Sequence, residues 1–257
     1  MDLGLAGKTA LVCASTGGLG RAIAEQLAAE GAHTVITGRR EALAKEIAAA
    51  LPSAVGVGVD LLADDGPVAL FEATVAAFAA PDILVLNGPG PPPGAAAEVD
   101  VDAIDGAFDG LVRQHVRLVS YALPAMRERG WGRILAVGSS GVTAPLPNLA
   151  LSNLARAALA GYLKTLAAEV AADGVTVNLL LPGRIETDRT AAVDAANAHR
   201  SGHTVAETKA LSIAGIPAGR YGRPAEFAAA AAFLCGTPAS YITGTALRCD
   251  GGLVRSL

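Results

Sequence analysis

The sequence is poor in cysteines, long apolar runs and basic charge, and each shortage excludes a class of protein. Its three cysteines form no CxxC pair, which argues against a disulfide framework and a structural zinc site. No apolar run reaches the roughly 18 residues of a membrane span. The 20 basic residues do not outnumber the 24 acidic ones and form no basic run. We therefore expect a protein with no metal site, no membrane span and no nucleic-acid partner.

The apolar content consists mainly of small aliphatic residues arranged in an alternating pattern. Hydrophobic residues make up 52% of the chain and aromatic residues 4%. Short β-rich runs alternate with alanine-rich helical stretches, which is typical of repeated βαβ units around a parallel sheet. The predicted strands are 9–13, 34–37, 55–59, 83–86, 134–137, 176–180 and 246–249, and the predicted helices are 21–30, 40–51, 67–78, 101–129, 154–172 and 225–234. The pattern predicts an α/β, doubly wound Rossmann fold with a seven-stranded parallel sheet, in a single domain over 1–257.

Two predicted loops differ from ordinary connections. Segment 88–94 (GPGPPPG) is stiffened by proline. Segment 188–223 is too long and too weakly patterned for a simple connection, and we expect it to be a substrate loop inserted in the domain. Pro124 is expected to interrupt the long helix near its end, because proline removes a backbone donor.

A glycine-rich turn follows the first predicted strand and leads into a helix. Its residues run Ser15-Thr16-Gly17-Gly18-Leu19-Gly20. In this context backbone N–H groups and the helix N-terminus can bind a pyrophosphate. The alternative is a turn that only needs a positive φ at Gly17 or Gly18.

The second predicted strand is followed by Arg39 and Arg40, where an NAD enzyme usually has a carboxylate for the ribose 2′-hydroxyl. A guanidinium suits a 2′-phosphate instead. The residue types therefore favour NADP(H) over NAD(H), with a solvated surface arginine as the alternative.

Several motifs in the same order resemble the short-chain dehydrogenase/reductase family, especially its 3-oxoacyl-(acyl-carrier-protein) reductase-like members. They are the glycine turn, Asp60 after the third strand, Asn87-Gly88, the segment from Val177 to Thr187 (VNLLLPGRIET), and the closing segment 241–252. The resemblance covers nearly the whole chain. It implies the following cofactor-binding residues: Ser15, Thr16, Gly18, Leu19, Gly20, Arg39, Asp60, Leu61, Asn87, Gly88, Pro182, Gly183, Ile185 and Thr187.

The chain departs from the family pattern at the residues that carry the chemistry. Ala14 replaces the first glycine of the turn, at a cost of about 1 kcal/mol if the position needs a positive φ. No YxxxK motif occurs, and alignment of the helix places Ser152 and Arg156 at the tyrosine and lysine positions. Ser139 lies thirteen residues before Ser152, which is the family spacing for its catalytic serine. Leu111 stands at the position of the family's asparagine.

These replacements change the proton chemistry that the resemblance implies. A serine hydroxyl is a weaker acid than tyrosine, and arginine stays protonated. Ser152 and Arg156, one helical turn apart, can bind an oxyanion, a carboxylate or the nicotinamide ribose, but they make a poor proton shuttle. His115 is a candidate replacement proton donor, or else a packing residue. Ser139 can alternatively be a turn residue, and Ser152 a helix cap.

Together these features predict an NADP(H)-dependent oxidoreductase with a non-standard active site, which reduces a small-molecule carbonyl, enone, quinone or imine. Two other functions stay open: a cofactor-binding sensor or scaffold without hydride chemistry, and a lyase or isomerase in which Arg156 holds a substrate carboxylate. The start of the sequence lacks a basic region followed by an apolar one, so we expect a cytoplasmic protein. The resemblance also implies a homodimer or homotetramer.

Overall fold

The computed structural model describes residues 1–256 of the chain, which form one seven-stranded parallel sheet. The strands are β1 (Thr9–Val12), β2 (His33–Gly38), β3 (Ala54–Gly58), β4 (Ile83–Leu86), β5 (Gly132–Val137), β6 (Val175–Pro182) and β7 (Ala246–Cys249). Their order across the sheet is β3-β2-β1-β4-β5-β6-β7. The prediction of a doubly wound Rossmann fold with seven parallel strands is therefore confirmed.

Helices cover both faces of the sheet. They are α1 (Gly18–Ala29), α2 (Glu41–Ala49), α3 (Gly66–Ala77), α4 (Asp102–Phe108), α5 (Gln114–Glu128), α6 (Ala150–Val170), α7 (Asp188–Ser201), α8 (Val205–Ala214) and α9 (Pro224–Cys235). Successive side chains of a strand point to opposite faces. Accordingly, Ala10 and Val12 of β1 pack in the core under α1, α2 and α9, whereas Leu11 packs in the core under α3, α5 and α6.

The long helix predicted at 101–129 is interrupted, but not at Pro124. A π-helical turn over Asp109–Arg113 separates α4 from α5, and α5 continues through Pro124. Glycine is a weak helix former, so Gly110 lowers the cost of leaving α-helical geometry at this turn. The carbonyl of Gly110 approaches the exit of β4: a β-carbon placed on Gly88 would lie 3.1 Å from this oxygen.

The predicted loop 188–223 contains two helices, α7 and α8. Their apolar pattern is weak because only Asp194 and Ala198 of α7 and Thr208 of α8 are buried. The sequence nevertheless carries a helix signal that was missed, because Thr204 and Glu207 form a capping box at the start of α8.

A buried carboxylate anchors α7 to the rest of the domain. Asp194 is 3% exposed, accepts a hydrogen bond from the Tyr221 hydroxyl at 2.8 Å, and pairs with Arg184 at 3.2 Å. Because Arg184 belongs to the loop after β6, this cluster ties α7 to the edge of the sheet. None of the helices within residues 1–256 is both long and apolar enough to cross a membrane.

Candidate functional site

The candidate site lies at the carboxyl edge of the sheet, where the strand order reverses. The chain runs from β1 outward to β2 and β3, and then returns to β4 on the other side of β1. In open α/β sheets this switch point forms the ligand crevice. The predicted cofactor-binding residues lie in the segments that follow the strands, except Pro182, which ends β6, and Gly18, Leu19 and Gly20, which begin α1.

The glycine turn after β1 is closely packed and contains a strained residue. Ala14 has φ 48° and Gly18 has φ 55°, so both adopt the left-handed conformation. The Asn87 side chain donates to the carbonyl of Ala14 at 3.3 Å. A β-carbon on Gly20 would lie 2.5 Å from the same carbonyl oxygen, so α1 can approach the turn only because this residue is glycine. The turn thus has the backbone cradle of a dinucleotide site, with Ala14 adding strain.

Ser15 lies beneath this turn rather than on its cofactor-facing surface. Its hydroxyl is buried, donates to the carbonyl of Val12 at 2.7 Å and accepts from the N–H of Thr37 at 2.8 Å. These bonds tie the ends of β1 and β2 together. Ser15 therefore shapes the turn, and its predicted contact with the cofactor stays a prediction.

The end of β2 presents a cationic rim. Arg39 and Arg40 are exposed, and Thr16 packs over Gly38 beside them. Glu41, the nearest acid in the sequence, begins α2 and pairs with Lys45 at 2.6 Å, and Lys45 lowers its pKa. Glu41 is therefore held by a lysine on its own helix.

Asp60, in the segment after β3, is also exposed and accepts a hydrogen bond from the N–H of Leu62 at 3.0 Å. Leu19 and Leu61 are partly buried and pack against the two cores.

The loop after β6 faces the glycine turn. Thr187 caps α7 by accepting from the N–H of Thr190, and its methyl group lies 4.0 Å from where a β-carbon of Gly18 would be. Ile185 is buried, so its side chain packs within the protein. Gly183, which follows Pro182, lies against the backbone of Asp250, where a β-carbon would be 2.6 Å from Cα. The structure therefore brings the two ends of the predicted cofactor site together.

Ser139, Ser152 and Arg156 come together at the end of β5. Nη1 of Arg156 donates to the carbonyls of Val137 and Gly138 at 2.7 and 3.1 Å, directly before Ser139. Nε of Arg156 donates to the hydroxyl of Ser152 at 3.3 Å. Ser152 is not the helix cap, because α6 begins at Ala150. The Ser139 hydroxyl accepts from the N–H of Gly141 at 3.0 Å.

Arg156 keeps its charge in this setting. Burial, and to a smaller extent the neighbouring positive charge of Arg189, lower the pKa of the guanidinium to about 10. At neutral pH the group is still a cation and does not release a proton. It can donate hydrogen bonds and stabilise negative charge, but it cannot act as an acid.

His115 is a packed residue rather than an accessible proton donor. Its side chain is 3% exposed, with Nδ1 2.9 Å from the carbonyl of Leu111 and Nε2 3.4 Å from the carbonyl of Asn87. Burial lowers the pKa of the imidazole to about 4, so the ring is neutral at pH 7. These observations favour the packing role and argue against His115 as the general acid.

Sequence reasoning missed two contributors to the site. Arg189, in the first turn of α7, extends towards Gly90 and donates to the carbonyl of Pro91 at 3.3 Å. Its place two residues after Thr187 was a usable signal, because residues after a strand end line the crevice. The π turn around Gly110 carried no comparable signal, since sequence periodicity does not distinguish it from a continuous helix.

The crevice, the glycine cradle and the group at the end of β5 define a dinucleotide-binding α/β protein. A family model described as enoyl-(acyl carrier protein) reductase matches residues 13–254. The chain is 37% identical over 252 residues to 3-oxoacyl-(acyl-carrier-protein) reductase FabG of Salmonella typhimurium, covering 96% of this chain and 97% of that protein. The chain belongs to the short-chain dehydrogenase/reductase family of oxidoreductases.

Solved structures agree with this assignment over the full length. L-sorbose reductase from Gluconobacter frateurii, in complex with NADPH and L-sorbose, superposes with a TM-score of 0.93 at 32% identity, covering 100% of both chains. The 3-ketoacyl-(acyl-carrier-protein) reductase from Brucella melitensis, in complex with NADH, superposes with a TM-score of 0.85 at 32% identity, covering 97% of this chain and 99% of that chain.

The strain at Ala14 predicts a stabilising substitution. Ala14→Gly removes a β-carbon from a left-handed residue, and we expect the free energy of unfolding to rise by about 1 kcal/mol. Denaturant unfolding of the two proteins measures this difference. The matched control, Ala22→Gly within α1, should lower stability by about the same amount. A decrease for Ala14→Gly as well would contradict the strain assigned to this turn.

The neutral, buried His115 predicts a loss of stability on acidification. Between pH 6.5 and about 4 the unfolded chain protonates this histidine and the folded chain does not, so stability falls with pH by up to about 3 kcal/mol in total. In His115→Gln this part of the pH dependence should disappear. Thermal unfolding across this pH range measures the slope, and His199→Gln, at an exposed histidine, should keep the wild-type slope. Equal slopes for His115→Gln and wild type would rule the assignment out.

Proposed function

We propose that this protein is an NADP(H)-dependent oxidoreductase that reduces a small molecule with little proton transfer from its own side chains. Suitable substrates are a quinone, an enone, an imine, or a carbonyl that takes its proton from water. The observation that carries the proposal is the pair Ser152 and Arg156, hydrogen-bonded to each other at the end of β5, where the family has tyrosine and lysine.

The backbone of the glycine turn supports a dinucleotide cofactor. Gly20 lets α1 pack closely against the turn, exposed Gly18 leaves room for a pyrophosphate at the start of α1, and the loop from Pro182 to Thr187 closes the opposite side. A nicotinamide dinucleotide bound there supplies the hydride. Arg39 supports a preference for NADP(H), because its exposed guanidinium lies at the end of β2 and suits a 2′-phosphate.

The polarity of the hydrogen bonds in this group suits a developing oxyanion. The hydroxyl oxygens of Ser139 and Ser152 both accept hydrogen bonds, from Gly141 and Arg156 respectively. Within residues 1–256 neither hydroxyl proton has an acceptor, so both O–H groups can donate to a bound substrate. Together with the guanidinium they form a set of preorganised donors, which stabilises negative charge on an oxygen without protonating it.

A second candidate function is cofactor binding without hydride transfer. It is favoured by the neutral, buried state of His115, which leaves the site without an acid that titrates near neutral pH. The two candidates differ in one observable: only the oxidoreductase changes the absorbance of the reduced nicotinamide.

We also propose that copies of the chain associate through α5 and α6, as in the homodimer or homotetramer that the family resemblance implies. Leu154 supports this, because it exposes 45% of its surface on α6. The segment that contains α7 and α8 lies outside this proposed interface and can contact the substrate.

The cofactor preference is tested by calorimetric titration with NADPH and NADH. We expect NADPH to bind at about micromolar Kd, near −8 kcal/mol, and NADH to bind much more weakly. Arg39→Ala should weaken NADPH binding at least about tenfold and leave NADH binding unchanged, because only NADPH carries the 2′-phosphate. The control is Arg127→Ala, which removes an arginine paired with Asp173 far from the end of β2. Equal NADPH affinity in Arg39→Ala and wild type would refute the assigned contact.

The reaction class is tested by mixing the protein with NADPH and a panel of quinones, enones, imines and carbonyl compounds. We expect at least one activated acceptor to consume the reduced-nicotinamide absorbance. Ser139→Ala should slow that turnover by about 10²-fold, since removal of an oxyanion donor has effects of this size. Ser120→Ala, at an exposed serine of α5, serves as the matched control. Unchanged turnover in Ser139→Ala would remove this serine from the site.

A further inference from the structure

Two guanidinium groups converge above the loop that follows β4. A β-carbon placed on Gly90 would lie 3.4 Å from Nη2 of Arg189 and 4.0 Å from Nη2 of Arg156. The two arginines come from different elements, α6 and α7. Their side chains thus meet at one point beside the Ser139–Ser152 end of the site.

Neither guanidinium has a carboxylate partner within residues 1–256. Nη1 and Nε of Arg156 bind the β5 carbonyls and Ser152, while its Nη2, the nitrogen nearest Gly90, has no hydrogen-bond acceptor. Arg189 donates only to the carbonyl of Pro91, through Nη2. Two other arginines close to α7, by contrast, are paired with carboxylates: Arg184 with Asp194 and Arg220 with Glu226.

Such an arrangement is unfavourable unless an anion joins it. Arg156 and Arg189 carry like charges that repel each other, and Arg156 is also half-buried and so loses part of its hydration. Both effects destabilise the folded protein. An anion between the two groups reverses both effects. A guanidinium presents planar, paired N–H donors that match the oxygens of a carboxylate or a phosphate.

We propose that Arg156 and Arg189 bind an anionic group of the substrate, a carboxylate or a phosphate, beside Gly90. This inference rests on the proposed function, for which it names the substrate class. Arg156, fixed by its bonds to the end of β5, is the rigid half of the site. Arg189, exposed on α7, is the adjustable half. The bound anion places the rest of the substrate next to the free O–H groups of Ser139 and Ser152.

The site is distinct from the place assigned to the cofactor pyrophosphate. That place lies at the start of α1, where Gly18 faces Thr187. The arginine pair instead borders Gly90 in the loop after β4. An anion in the pair is therefore expected to bind in the presence of NADP⁺ and not to compete with it.

The test uses malonate and inorganic phosphate as probes, titrated calorimetrically into the protein at low ionic strength, with and without saturating NADP⁺. The variants are Arg189→Gln and its matched control Arg200→Gln, which removes the same charge from an exposed arginine of the same helix. We expect Arg189→Gln to weaken binding of the preferred probe at least about tenfold and Arg200→Gln to leave it unchanged. The probe that binds more tightly identifies the anion as a carboxylate or a phosphate.

Arg156→Lys provides a second variant, which keeps the positive charge at this position and the net charge of the protein. Because a lysine lacks the planar fork, we expect it to weaken the probe severalfold while the protein still binds NADPH. The proposal is overturned if wild type binds neither probe, if Arg189→Gln binds like wild type, or if Arg200→Gln loses as much affinity as Arg189→Gln.

Failure of the proposed function gives a different result. A protein that binds malonate through Arg189 but binds neither NADPH nor NADH keeps the anion site and loses the oxidoreductase assignment. A protein that binds NADPH and reduces only uncharged acceptors, with no effect of Arg189→Gln on KM, keeps the oxidoreductase assignment and loses the anion site.

Discussion

A chain of hydrogen bonds across the carboxyl edge of the sheet holds the site in shape. The side chain of Asn87 donates to the carbonyls of Cys13 and Ala14 in the glycine turn. The backbone carbonyl of Asn87 faces Nε2 of His115. The other ring nitrogen of His115 reaches the carbonyl of Leu111 in the π turn. Asn87 and His115 therefore link the cofactor cradle, the end of β4 and the π turn between α4 and α5. Because the neutral ring of His115 carries a single N–H, it donates to one of the carbonyls of Leu111 and Asn87 and only contacts the other.

Arg156 links the end of β5 to α6 by hydrogen bonds, just as Asn87 links the ends of β1 and β4. A lysine at this position has one ammonium group and cannot donate to two backbone carbonyls and a serine while another donor stays available for a ligand. The guanidinium can, because its donors point in fixed, separate directions. Two of its nitrogens are used to hold the end of β5 and Ser152, and the third faces the loop after β4. Compared with the lysine that the family resemblance implies at this position, Arg156 is held more rigidly by its hydrogen bonds.

The sequence predicted the sheet well because parallel strands buried on both faces appear as short apolar runs, and all seven lie within two residues of their predicted ends. The family resemblance placed Ser139, Ser152 and Arg156 in the candidate site, and the structure brings these three side chains together. The sequence did not predict α7 and α8, since helices with few buried residues leave almost no apolar periodicity. Nor did it predict the state of His115 or the approach of Arg189 to Arg156. Burial and the meeting of side chains from separate elements are properties of the packed domain, not of local spacing.

The site combines several cationic and hydroxyl donors with no acid that titrates near neutral pH. In reactions that need a proton at the rate-limiting step, loss of a general acid lowers the rate by roughly 10²–10⁴. When the substrate delocalises the incoming electrons, as an enone or a quinone does, negative charge collects on an oxygen and can be stabilised where it forms. In the proposed function, Ser139, Ser152 and Arg156 supply donors for that oxygen, and Arg189, which lies beside Arg156, holds an anionic group of the substrate. The proposed reaction therefore needs no tyrosine, because the oxygen takes its proton from water after the hydride has moved.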